Sequence, residues 1–244
     1  MVTDAKILTS RRAYDYAPDA IRLTVLSTPG VQQVIQQLFG FQAVQIGTPP
    51  GLFGPAPLTA PPGLVFAMGV HALPDNAFIP IRSLQIEPRR IIIDVAGPSA
   101  DIDPVFARLM EVFSAWRAQD GTPMIGEPLR ILDYSEASAH FSFAPDAILP
   151  IPLRDVLART LGVGADMALI PLLEIRTALP DAEYGGAALV PQAFHLELRA
   201  GATPTQGLYF SGAPLSSAAH LDLIAQLAAL FAPEGQEDNA RPSA

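Results

Sequence analysis

Leu84–Trp116 reads LQIEPRRIIIDVAGPSADIDPVFARLMEVFSAW, and three features in it decide the fold class. Phe78–Ile86, which runs into it, and Arg90–Ala96 are rich in Ile and Val and predict strands. Glu87, Pro88 and Arg89 lie between them as a hairpin turn. Asp103 and Pro104 then supply an N-cap and a first helical residue. Phe106, Leu109, Met110, Val112, Phe113 and Trp116 give that helix one apolar face. A hairpin followed by a packed helix is the unit of an α+β layer.

Toward the N-terminus, Leu64–Val70 predicts a further strand. It closes a run of fifty-two residues, Leu23–Pro74, with no Asp, Glu, Lys or Arg. About a quarter of the residues in a soluble domain are normally charged, so this surface must face its own core or another molecule. Ile21–Leu26 predicts a strand, after which Thr28 and Pro29 open a helix. Val31, Val34, Ile35, Leu38 and Phe39 form its inward face, four glutamines form the other, and Gly40 ends it. Phe41–Ile46 alternates as a strand. Segment 48–63, TPPGLFGPAPLTAPPG, can be neither helix nor central strand. Its Leu52, Phe53 and Leu58 are expected to bury against the body or a neighbouring chain. Residues 1–19 are polar and mixed, and read as an arm.

Toward the C-terminus the rhythm repeats. Strands are predicted at Arg130–Tyr134 and Ala139–Phe143, then a helix opened by Pro152 with Leu153, Val156, Leu157 and Leu161 inward. Further strands follow at Leu169–Thr177, Ala193–Ala200 and Gly207–Ser211, and a helix at Leu215–Phe231. Val31–Gly40 lies on Leu153–Gly162 without a gap. With Gly97 set on Gly212, Leu109 falls on Ile224 and Trp116 on Phe231. The expectation is an α+β fold of two pseudo-repeated β-α-β-β-β-α halves, residues 20–119 and 127–232, with an antiparallel sheet and helices on one face. A linker at 120–126 joins the halves, and a disordered tail, 233–244, follows.

The element order carried by LQIEPRRIIIDVAGPSADIDPVFARLMEVFSAW and the following RILDYSEASAHFSF resembles that of TATA-binding-protein-like and helix-grip folds. It is also similar to a sporadically distributed, uncharacterised family of bacterial proteins of this length. The resemblance implies one curved sheet built from both halves. The helix-grip likeness implies a small apolar ligand between sheet and helix, and the TATA-binding likeness implies DNA. The net charge of −9 and the single lysine, Lys6, argue against nucleic acid, because phosphate binding needs clustered cations.

The absence of Cys excludes disulfides, a thiol nucleophile and zinc–thiolate sites. MVTDAKILTSRRAYDY lacks the apolar core of a signal peptide, and no run is apolar for the length of a membrane span, so the cytoplasm is the expected location. No phosphate loop, dinucleotide turn or nucleophile elbow is present. Asp133, Tyr134, Glu136 and His140 form the densest polar cluster. On a helix Glu136 and His140 would share a face, but the β-formers around them predict strand-turn-strand. Asp101 and Asp103 are expected to cap a helix. His195, Glu197 and Arg199, Glu174 and Arg176, and Gln85 and Glu87 alternate with apolar residues, predicting a polar sheet face opposite the helices. Cross-strand ion pairing or ligand binding would each account for it. His71 and His220 read as ordinary, partly buried residues.

On the last helix Leu221, Ile224, Ala228 and Phe231 make one stripe, and Leu223, Leu227 and Leu230 make a second that needs another cover. No catalytic, cofactor or metal residues are assigned. The expectation is a non-enzymatic binding or assembly subunit using apolar surface, as a homo-oligomer or with a protein partner. The alternatives are a small apolar-ligand binder and, third, an enzyme.

Overall fold

The computed structural model describes residues 2–47, 63–116, 121–143, 145–161, 172–176 and 193–231. Its elements, in chain order, are β1 (Val2–Asp15), α1 (Leu23–Leu26), α2 (Pro29–Phe39), β2 (Ala43–Gly47), β3 (Gly63–Ala72), β4 (Phe78–Glu87), β5 (Arg90–Val95) and α3 (Ile102–Ser114). Then come β6 (Arg130–Phe141), α4 (Ile151–Leu161), β7 (Leu173–Arg176), β8 (Ala193–Leu198), β9 (Leu208–Ala213) and α5 (Ser217–Leu230). The described strands form one antiparallel sheet in the order β2-β3-β4-β5-β1-β6-β9-β8-β7. The α+β class expected from the sequence is therefore the one observed. Outward from β1 lie β5, β4, β3 and β2; outward from β6 lie β9, β8 and β7.

The hairpin that opens the sequence reading forms as expected. Glu87 pairs with Arg90 at its turn, Ile86 with Ile91 and Leu84 with Ile93. Ile91, Ile93 and Val95 turn toward the helices, where Val105, Leu109 and Phe113 of α3 bury against them. Tyr14 of β1 stacks flat on Phe106 of α3 at a centroid distance of 3.8 Å. This first core also takes Leu26, Ile35 and Phe39 from the first two helices. A second core gathers Phe141, Phe194, Leu196, Tyr209, Ile224 and Ala228 between the other half of the sheet and α5. Pro29 is the first residue of α2, and Gly40 closes it at φ +59°, a left-handed conformation suited to glycine.

Several expectations need correction. The arm at 1–19 contains β1, a central strand flanked by β5 and β6. Its polar residues look unsuited to a sheet centre, but their charges are matched by neighbouring strands. Ile21–Leu26 is not a strand: Ile21 makes one bridge to Ile125, and Leu23–Leu26 turns as helix because β1 already holds the place beside β5. The two strands expected at 130–143 are one, since pairing with β1 and β9 carries β6 through Ser135–Ser138 without a turn. Residues 121–126, read as linker, lie against Ala20–Arg22 and bury Met124 and Ile125 in the first core. Val34 of α2 and Leu153 and Val156 of α4, read as inward, are exposed. In α2 the buried line is carried by Ile35 and Phe39 alone. Asp103 is not the N-cap of α3. A 3-10 turn at Ser99–Asp101 feeds that helix, and Asp103 instead pairs with Arg12.

Candidate functional site

Alternation along the strands gives the sheet a second face, opposite α2, α3 and α5. Two registered rows cross it. In one, Asp94 of β5 faces Arg11 of β1, which faces Tyr134 of β6. In the next, Thr9, Glu136, Gly212 and His195 follow one another across β1, β6, β9 and β8. Arg11 Nη2 donates to Asp94 Oδ2 at 2.6 Å, and both side chains are buried. Thr9 Oγ1 donates to Glu136 Oε2 at 3.0 Å. Gly212 has no room for a Cβ, because the His195 ring and the Tyr134 hydroxyl occupy that space from either side. Burial pushes the Tyr134 phenol up and keeps it protonated.

Toward the β4–β5 turn the same face carries Asp15 between Arg90 and Arg130, with Arg130 Nη2 donating to Asp15 Oδ2 at 2.7 Å. Burial alone would raise the Asp15 carboxyl, but the two guanidiniums hold it below its ordinary value. Glu87 beside them is pushed up to about 7 by burial, which outweighs the pull of Arg90. The polar face expected from strand alternation thus exists, and cross-strand pairing accounts for the contacts just described. Tyr134 and Glu136 lie on it. Asp133 faces the other way, receiving a bond from Arg12 Nε at 2.7 Å. Glu136 and His140 stand four residues apart on one strand, roughly 13 Å along the chain, so they do not converge.

The helix side hides a second polar cluster that sequence reading missed. His220 of α5 is fully buried, with Nδ1 2.9 Å from Ser135 Oγ and Nε2 2.9 Å from Ser211 Oγ. Ser135 Oγ also lies 3.0 Å from the carbonyl of Leu215, and Ser211 Oγ 3.0 Å from that of His195. A neutral imidazole brings one proton and the serines two, so three protons serve four contacts. Next to it Ser217 joins Ser10 of β1 (2.8 Å) and the Ser99 amide (2.6 Å), tying α5 to the first half. A Ser–His contact could in principle activate a nucleophile, but full burial denies a substrate access. Ser135, Ser211 and His220 are scattered along the chain, so no local pattern announces them.

One exposed face of the sheet is of the opposite character. On the β3–β4 hairpin, Val70 pairs with Pro80 and Ala72 with Phe78, so these four share one face. Phe78 is 65% exposed, Val70 45%, and Met68 beside them 57%. Met68 sits at φ +56°, where the alternation of β3 resets and β4 slips in register against β5. The available signal was the run Leu64–Val70, apolar at nearly every position and so lacking a polar face.

Of the leucines expected to meet a partner, Leu230 is 72% exposed, whereas Leu223 and Leu227 are half-buried against the second core. Leu52, Phe53 and Leu58 lie outside the described residues. Among the described residues no group of three or more His, Asp and Glu is placed to hold a metal ion, and no helix is long and apolar enough to cross a membrane. No protein-family model matches the chain, and the search of curated proteins finds no match to it.

Proposed function

We propose that this chain is a non-enzymatic, cytoplasmic binding or assembly subunit that meets its partner through apolar surface. The observation carrying this reading is the exposure of Met68, Val70 and Phe78 together on one hairpin. Single exposed apolar residues need no explanation, but a contiguous set on a strand pair is a contact surface or an aggregation liability. The polar rows across the sheet support the same reading, because the contacts described there join protein groups to one another. Between sheet and helices, aromatic rings pack on one another in the first core, Tyr14 flat on Phe106, Phe39 edge-on to Phe41 and Phe41 tilted against Phe66, which favours assembly over a ligand cavity there. We further propose that the two halves descend from one duplicated unit. The order β5-β4-β3 beyond β1 mirrors β9-β8-β7 beyond β6, with β2 an added edge strand of the first half, and this together with the full burial of both Leu109 and Ile224 supports that descent.

The test is the native mass of the untagged chain, measured by size-exclusion of fresh lysate with immunodetection and by light scattering after purification. The expected result is a species heavier than the 25.9 kDa monomer in at least one of the two. A monomer in both would overturn the reading.

A further inference from the structure

Resting on the assembly reading, we infer that the partner on the β3–β4 hairpin is a second copy of this chain, docked face to face about a twofold axis. The hairpin face is self-complementary. Its apolar strip, Val70, Phe78 and Pro80 with Met68 alongside, ends in exposed charges of opposite sign: Asp75 at the tip and Arg82 toward the sheet. From Phe78 to Arg82 the strand runs roughly 13 Å at about 3.3 Å per residue, and Asp75 lies beyond it in the turn, where its Oδ1 accepts from the Ala77 amide at 3.1 Å. An antiparallel twofold over the middle of the strip stacks strip on strip and sets the Asp75 end of each copy against the Arg82 end of the other. Each copy carries a net charge of −9, so most faces of two copies repel, whereas this strip is uncharged and its ends are matched. A strip of a few side chains is far smaller than the roughly 800 Å² each partner buries in a stable complex, which makes the dimer reversible.

The experiment is sedimentation velocity on the purified full chain from about 1 to 200 μM, the range suited to a small interface. The expected result is a monomer–dimer equilibrium. Arg82→Asp or Asp75→Arg alone should weaken dimerisation about tenfold, since each twofold contact is lost and made repulsive twice. The double exchange should restore it to within about threefold, a rescue that a merely structural effect would not produce. Phe78→Ser should abolish the dimer while circular dichroism and the unfolding midpoint stay unchanged. A dimer indifferent to all four variants overturns the hairpin interface and leaves the assembly reading intact. A purified chain that stays monomeric, yet runs heavier in lysate, overturns the second-copy inference in favour of a different protein. Single exchanges that weaken the dimer with no rescue in the double exchange overturn the twofold arrangement.

Discussion

His220 offers a direct test of the buried serine–histidine cluster. Burial favours the neutral ring, and proximity to His195 adds to the effect, lowering His220 to about 4 from 6.5. The two serine oxygens could accept bonds from an imidazolium, but among the described residues no carboxylate is a hydrogen-bond partner of His220, so desolvation dominates. In the unfolded chain the ring takes up a proton near pH 6.5, whereas in the folded chain it does so only near pH 4. The stability it contributes is therefore complete above pH 6.5 and is lost as pH falls from there to 4. At about 1.4 kcal/mol per unit, the loss is about 3 kcal/mol, a substantial part of a typical total of about 5–15 kcal/mol. The assay is urea unfolding from pH 7 to 4 on the wild type and on His220→Gln, which keeps a hydrogen-bonding side chain but cannot titrate. The variant should be less stable at pH 7, and its deficit should shrink by about 3 kcal/mol on acidification. A wild-type-minus-variant difference that stays constant across this window, or a His220 ring signal in NMR titrating near pH 6.5, would refute the reasoning.

Glu87 should act with the opposite sign. Its carboxyl is raised from 4.5 to about 7, so wild-type stability falls as pH rises from 4.5 to 7 and levels off above, and Glu87→Gln should gain relative to wild type across that window in thermal melts. Arg11→Met strands the buried Asp94 carboxylate and should cost about 3–5 kcal/mol in denaturant titrations, most of it recovered when Asp94→Leu is added. Gly212→Ala should cost about 1–3 kcal/mol by crowding His195 and Tyr134, and adding His195→Ala should return much of it. Leu230→Glu should alter stability by no more than about 0.5 kcal/mol, because that side chain is largely in water; a larger loss would place it in the core.

The periodic parts of this chain were legible in its sequence, and the parts satisfied at long range were not. The β4–β5 hairpin, α2 with its Pro29 start and Gly40 stop, and α5 declare themselves through local spacing and caps. The central strand did not, because Arg11, Arg12 and Asp15 advertise solvent, while their partners Asp94, Asp133, Arg90 and Arg130 lie 75 or more residues away. Ile21–Leu26 has strand composition but lost the position beside β5 to β1, a tertiary outcome that propensity does not encode. The polar sheet face was readable from alternation at His195, Glu174 and Gln85. The apolar hairpin face was masked by the same low charge that marked the whole of Leu23–Pro74.

The place of β1 also bears on how the chain leaves the ribosome. Asp15 is made before any of its partners, and its strand cannot close against β6 until Phe141 has been synthesised. At about 5–20 residues per second, the first strand waits roughly 6–25 seconds with the edge that meets β6 open. An apolar strand exposed that long would recruit other nascent chains. Arg11, Arg12 and Asp15 keep it hydrated through the delay and then become the ion pairs that join it to β5 and β6. The charges that disguise this strand as an arm would thus protect it during synthesis.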